Sequence, residues 1–339
     1  MRPSSPVFAW PLGFPRTPRE EWTTAPVEGL AKHYDTVERH GWYRNLDPSV
    51  DRLLAWLGDG HVLLDYSGGT GILLDRVFAH TPDTGFGTVI VDSSPKFLRL
   101  ALEKFRDDPR VAFRLIRYLD DDKRLQYVDE VLEDPLLQRG VDCIASTNAI
   151  HLYYDLEMTL RSWHKVLRPG GRIHVQSGNI GYDEGAPSPG HWIIDSTVDA
   201  IARAAEEVVR DDERFTQYRA VLDDTERMAA HARIRAKYFL PVRPLGFYLN
   251  ALKTTGFQIE KVERVPIEAD VAEWLDFLSV YHAGILGWVG GTKRVEGKDA
   301  HDHAVKDRLE VIRLAADRVF DGDGSFLAEW TYIDGVREG

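Results

Sequence analysis

The chain has 339 residues, 43% of them hydrophobic, a net charge of −12, a sequence pI near 5.5 and a single cysteine, Cys143; this is enough apolar material for one elaborated domain or two small ones. An acidic chain without a lysine or arginine block argues against nucleic acid, whose phosphates reward basic faces, and no apolar run approaches the roughly 18 residues of a membrane span. One cysteine excludes an intramolecular disulfide framework, and the proline-broken N-terminus MRPSSPVFAWPLGFPRTPREEW lacks a signal-peptide pattern, so a reducing, cytoplasmic setting is expected.

Residues 1 to about 25 are rich in proline and read as an extended arm. VEGLAKHYDTVERHGWYRN and LDPSVDRLLAWLG read as two helices, the second stopped by Gly58 and Gly60. HVLLDYSGGTG, from His61 to Gly71, then reads as strand and tight turn, followed by the helix ILLDRVFAH. Glycine tolerates positive φ and has no Cβ, so this turn lets backbone come close to a ligand, and the free N–H groups of the next helix face the same space. A dinucleotide fingerprint would need glycine at the positions of Ser67, Gly69 and Ile72, and two of the three fail. The next strand, GFGTVIVD, ends at Asp92, about 20 residues beyond Gly71, a spacing at which a carboxylate can accept hydrogen bonds from ribose hydroxyls. Capping of the following helix is better served by Ser93 or Ser94.

VAFRLIRYL reads as a third strand and leads into an acidic stretch that begins at Asp120. VDCIAST is a fourth, followed by the loop STNAIHLYYD, a helix ending in VLRPGG, and at once a fifth strand. Proline and paired glycines end the helix and turn the chain. The acidic-x-small-x-Gly-x-Gly turn, Asp92, the loop after strand four and the VLRPGG turn together resemble the class I S-adenosylmethionine-dependent methyltransferases, with Ser67 in the place of that family's first glycine. The resemblance implies a doubly wound α/β fold, a mostly parallel seven-stranded Rossmann-like sheet, and S-adenosylmethionine as cofactor. It implies cofactor contacts from Asp65, Ser67, Gly69, Gly71, Asp92, Ser93 and, in the loop after strand four, Asn148. Tyr34 could close over the cofactor from the N-terminal helices, whereas Trp42 and Tyr43 read equally as core. Asp120 could contact the adenine amine, although three consecutive aspartates read better as a solvated loop.

GFQIEKVERV and FLAEWTYIDGV resemble the sixth strand and the antiparallel seventh. Long helical segments separate strand five from six and six from seven. The expected organisation is an arm and cofactor-covering helices over 1–58, a cofactor-binding core over 59–178, a helical substrate lid over 179–255, and the last two strands with their helical insertion over 256–339.

Methyl transfer is mostly a problem of positioning, and a phenol or alcohol acceptor also needs a base. The resemblance places His151 beside the methyl group as first candidate, and His191, in the lid sequence SPGHWIID, is the second. The aromatic stripe Trp274, Phe277 and Tyr281 before His282 reads as core, and the basic face around Arg233, Arg235 and Lys237 as solvated helix surface. His301 and His303 are spaced onto different helix faces, so no metal is expected. The expected partner is a small-molecule acceptor, with a peptide left open, as are the oligomeric state and N- or C-methylation. A non-methylating relative of the same fold and a nucleotide-dependent oxidoreductase are the rival classes.

Overall fold

The computed structural model describes residues 8–81 and 84–339, so the first seven residues of the expected arm lie outside it. From Phe8 onward the arm is tied down along one edge of the molecule: Trp10 Nε1 donates to the Pro109 carbonyl at 2.9 Å, and the Phe113 N–H to the Arg16 carbonyl at 2.9 Å.

Seven strands build the central sheet: β1 (Val62–Tyr66), β2 (Gly87–Asp92), β3 (Val111–Leu115), β4 (Val141–Thr147), β5 (Leu167–Ser177), β6 (Phe257–Asp270) and β7 (Ser325–Arg337). Their order is β6-β7-β5-β4-β1-β2-β3, and a short segment, His191–Trp192, pairs with β7. The contacts from β5 through β4, β1 and β2 to β3 are parallel, and β7 runs antiparallel to both of its neighbours. The seventh strand therefore inserts between β5 and β6, and β6 rather than β7 forms the edge. β1 and β2 are buried along their whole length, as continuous apolar runs must be when helices cover both faces of a parallel sheet.

Ten helices matter for placing the site: α1 (Gly29–Asp35), α2 (Asp47–Trp56), α3 (Ile72–His80), α4 (Pro95–Phe105), α5 (Leu156–Val166), α6 (Ser196–Asp211), α7 (Thr225–Tyr238), α8 (Leu245–Thr254), α9 (Val271–Val280) and α10 (Asp302–Val319). Leu53 of α2 and Leu73 and Val77 of α3 pack with Leu63 and Cys143 on one face. Leu160 and Trp163 of α5 and Leu252 of α8 pack with Leu64 and Ile144 on the other. The first predicted helix is shorter than its pattern, because residues 36–46 continue as two 3-10 turns.

β6 runs parallel to β5, so the insertion after it leaves from the carboxyl end of the sheet. β6 and β7 outgrow the sheet: Thr331–Val336 of β7 pairs with β5, whereas Ser325–Trp330 continues along β6 beyond β5, with only His191–Trp192 beside Leu327 and Ala328. The inserted helices α6, α9 and α10 pack against this projecting ribbon, with Trp274, Trp288 and Phe326 buried among them. The stripe Trp274, Phe277 and Tyr281 is thus core, and Arg235 pairs with Asp199 at 3.2 Å on an open helix surface, as expected. His301 and His303 are exposed, and no metal-binding group of side chains occurs among the described residues.

Candidate functional site

Strand order reverses between β1 and β4, and in open α/β sheets ligands lie outside the carboxyl ends of the strands at such a point. A cavity of about 790 Å³ opens there, within the roughly 300–1,000 Å³ usual for small-molecule sites. Ser67, Gly68 and Gly69 form its floor, Asp92, Ser93 and Phe97 one wall, and Thr147, Asn148 and Ala149 another. Tyr34 and Tyr43 come over it from the N-terminal segment, and residues 123–127 from the opposite side.

The glycine turn shapes this floor through positive φ angles at Ser67 (61°), Gly69 (56°) and Gly71 (82°). Gly71 starts α3, whose first turn follows directly. The Gly69 N–H donates to Asp92 Oδ2 at 2.9 Å and the Ser94 N–H to Oδ1 at 2.7 Å. Each carboxylate oxygen has a second lone pair to offer, so Asp92 is held by the backbone and can still accept hydrogen bonds from a ligand. Burial raises its pKa, and the N–H groups of Ser94, Gly69 and Ser93 oppose that shift. Ser94 is the helix cap, accepting from the Phe97 N–H at 3.4 Å, which leaves Asp92 free of that task.

Asp65 lies beneath the turn rather than on the cavity lining. It is 1% exposed, and neither carboxyl oxygen has a hydrogen-bond partner among the described residues. Burial, and then the charge of Asp92, push its pKa up to about 7. A Cβ on Gly68 would stand 2.6 Å from Asp65 Oδ2 and 2.9 Å from Ile90. Only glycine lets the turn settle onto this carboxyl. Gly71 is likewise a packing residue: a Cβ there would meet the Phe105 ring at 2.6 Å.

Of the residues expected to bind the cofactor, Tyr34, Ser67, Gly69, Asp92, Ser93 and Asn148 line the cavity, while Asp65 and Gly71 support it from behind. Asp120 does neither. It is exposed in the turn between the paired segments Tyr118–Leu119 and Arg124–Leu125, and Ile116 takes the wall after β3. Tyr34 stacks on Phe97 with ring centroids 4.7 Å apart, and Tyr43 lines the cavity beside it.

The two histidines fare differently. His151 is half-buried between the lining residues Ala149 and Leu152 but is itself outside the lining, with Nδ1 2.9 Å from Ser177 Oγ. Burial pulls its pKa down to about 4, so the ring is neutral at physiological pH. His191 sits on the projecting ribbon beside β7, with Nδ1 2.8 Å from Glu329 Oε1, and Glu329 also accepts from the Tyr182 hydroxyl. That pairing fixes the projecting ribbon and places His191 away from the cavity lining. No residue of 179–255 is on the cavity lining. The cover is held in place by α9 and β7. The Gly41 N–H donates to Glu273 Oε2 at 2.7 Å, His40 meets Asp276 at 3.3 Å, and Trp42 lies parallel to Trp330 at 6.1 Å.

Sequence reasoning missed Phe97, Tyr127 and Tyr153, all on the lining. Phe97 could have been found from its place in the first turn after Asp92. Tyr127 donates to Asp155 Oδ2 at 3.0 Å across the cavity mouth, a contact between segments with no local sequence signal.

The residues fit an adenosine-bearing sulfonium on three counts. A backbone-held carboxylate stands at the end of β2, an unpartnered buried carboxyl lies under the turn, and the turn has no room for a Cβ at Gly68.

Comparison with known proteins agrees with this geometry. Residues 64–173 match the family model described as a methyltransferase domain. Among curated proteins, the ubiquinone/menaquinone biosynthesis C-methyltransferase UbiE of Enterobacter sp. (strain 638) is 32% identical over 117 residues, 34% of this chain and 42% of the relative. The same enzyme from Escherichia coli O1:K1 / APEC is 30% identical over 116 residues, again 42% of its length. The chain therefore spans less than half of the curated relatives it matches. Solved structures with similar coordinates include the YcgJ protein of Bacillus subtilis, with a TM-score of 0.49 and 14% identity over 88% of this chain and 99% of that one. Another is a geranyl diphosphate methyltransferase in complex with SAM, with a TM-score of 0.44 and 16% identity over 97% and 99%. From the glycine turn, the strand order and the family match, residues 64–173 are a class I S-adenosylmethionine-dependent methyltransferase domain.

Proposed function

We propose that the protein transfers a methyl group from S-adenosylmethionine to a small or medium organic acceptor. The observation that carries this reading is the cavity at the carboxyl ends of β1, β2 and β4, floored by the glycine turn and bearing Asp92, inside the segment that matches a methyltransferase domain. Bound there, S-adenosylmethionine supplies an electrophilic methyl group on a sulfonium. Asp92 would hold the ribose hydroxyls, and Ser67, Gly69 and Asn148 the methionine side. Tyr34 and Tyr43 would exclude water, which strengthens positioning in a reaction that needs little else from the protein.

Two acceptor chemistries are supported by different observations. O-methylation rests on His151, neutral and flanked by lining residues, which could accept a proton from an acceptor hydroxyl. C-methylation of an acceptor that is already electron-rich rests on a lining without histidine among the described residues, and on relatives that are C-methyltransferases by name.

Calorimetry with S-adenosylmethionine, S-adenosylhomocysteine and NADH tests the cofactor. The expected result is binding of the first two and none of the third; NADH binding alone would overturn the reading. Methyl-labelled S-adenosylmethionine with panels of phenols and enolisable aromatics then tests the acceptor. For an oxygen acceptor, His151→Ala should lower turnover at least about tenfold with cofactor affinity retained. An unchanged rate would mean that another group is the base or that none is needed.

A further inference from the structure

Ser67 and Asn148 are both non-glycine residues with positive φ, 61° and 56°, and they follow the adjacent strands β1 and β4 on the cavity lining. A side-chain-bearing residue in the left-handed region is strained and persists where surrounding structure over-determines it. At Ser67 the structure shows what does so. The Ser67 hydroxyl lies 3.1 Å from the Tyr153 hydroxyl, which lies 2.7 Å from the hydroxyl of Ser146, a fully buried residue of β4. The three hydroxyls form one chain that crosses from the turn after β1 to the next strand.

Tyr153 has little freedom to do otherwise. Its ring meets Tyr66 edge-on at 5.4 Å and Trp163 at 6.1 Å, and those two rings meet each other at 5.1 Å. Packing therefore fixes the ring, Ser146 fixes its hydroxyl, and Ser67 is bonded to an immobile partner. Two residues on, the Gly69 N–H holds Asp92. A shift of the turn would move the carboxylate with it.

We propose that Tyr153 is a positioning residue for the cofactor site: through Ser67 it holds the glycine turn, and through the turn it aims Asp92. Glycine at position 67 would hold the conformation at no steric cost, and Tyr153 supplies by hydrogen bonding what serine lacks. The inference rests on the reading of this cavity as the S-adenosylmethionine site, but it concerns which residue shapes the site, not what occupies it.

A double-mutant cycle tests it, with S-adenosylhomocysteine affinity measured by calorimetry and thermal unfolding measured without ligand. Tyr153→Phe keeps the ring and removes one hydroxyl, so affinity should fall about five- to tenfold. Whatever affinity Ser67→Gly itself retains, adding Tyr153→Phe to it should change that affinity by less than about twofold, since the tyrosine no longer has a serine to hold. Equal losses in both backgrounds, or no loss in either, would overturn the proposal. Unfolding temperatures identify any loss that comes from a destabilised fold, and equal losses of that kind in both backgrounds also count against it. If the native protein bound no S-adenosylhomocysteine, the assignment of the cavity would fail first and this inference with it. Undiminished binding by Tyr153→Phe would sink this inference alone.

Discussion

Asp65 and Asp92 lie at the carboxyl ends of neighbouring strands, face the same turn, and differ in what holds them. Asp92 takes two backbone N–H groups and lines the cavity, whereas Asp65 is sealed beneath the turn without a partner. Asp92→Ala should therefore cost cofactor affinity, on the order of 1.5–3 kcal/mol for a lost charge-assisted contact. Calorimetry with S-adenosylhomocysteine checks this, and unchanged affinity would reduce Asp92 to a brace for the turn. Asp65 should instead govern stability. Its folded pKa is raised to about 7 from an ordinary value of 3.8. Below pH 4 both states carry the proton. As pH rises toward 7 the unfolded chain releases it first, so stability falls across that window and levels off above it. Asp65→Asn should remove this decline and be more stable than the native protein at pH 8, by on the order of 3 kcal/mol relative to their difference at pH 4. Urea unfolding at the two pH values reads it, and the same pH dependence in both proteins would contradict the assignment.

The glycine turn and the strands around it were legible because their signals are local. Val62–Tyr66, Gly87–Asp92 and Val141–Thr147 all appear where apolar runs end in turn chemistry. The third strand stops at Leu115, short of its apolar pattern, because the chain leaves the edge of the sheet there and Tyr118–Leu119 pairs with Arg124–Leu125 instead. β6 and β7 overrun their patterns for the converse reason: each supplies the other with a ladder beyond the sheet. Within the turn, the glycines separate into two roles that sequence alone merges. Gly71 combines φ of 82° with Phe105 at 2.6 Å from a would-be Cβ, whereas a Cβ on Gly69 meets nothing within 4 Å. Gly71→Ala should therefore lose stability, on the order of 1–3 kcal/mol, seen as a lower Tm. Gly69→Ala should mainly lose S-adenosylhomocysteine affinity, because its φ of 56° and its Asp92 contact lie on the cavity. A Tm for Gly71→Ala equal to that of the native protein would show that the helix start tolerates a side chain.

At the scale of the whole molecule, the helical insertions were visible as segments but not as neighbours. Their sequences announce amphipathic helices, and α6 and α7 fall where the patterns put them. What they cover depends on the projecting β6–β7 ribbon, which no local pattern announces. The cover is gripped from the last part of the chain: Glu273 and Trp330 hold residues 40–42, and the segment they hold carries Tyr34 and Tyr43 over the cavity. His151 was read as a catalytic candidate and lies beside the lining, while His191 braces the ribbon. The central claim is that the cavity at the glycine turn is the S-adenosylmethionine site, and a crystal structure of the S-adenosylhomocysteine complex tests it most directly. The ligand should fill the cavity with its ribose hydroxyls on the Asp92 carboxylate and its methionine end against Ser67, Gly69 and Asn148. A complex in which S-adenosylhomocysteine lies elsewhere, with no contact to Asp92, would contradict the account.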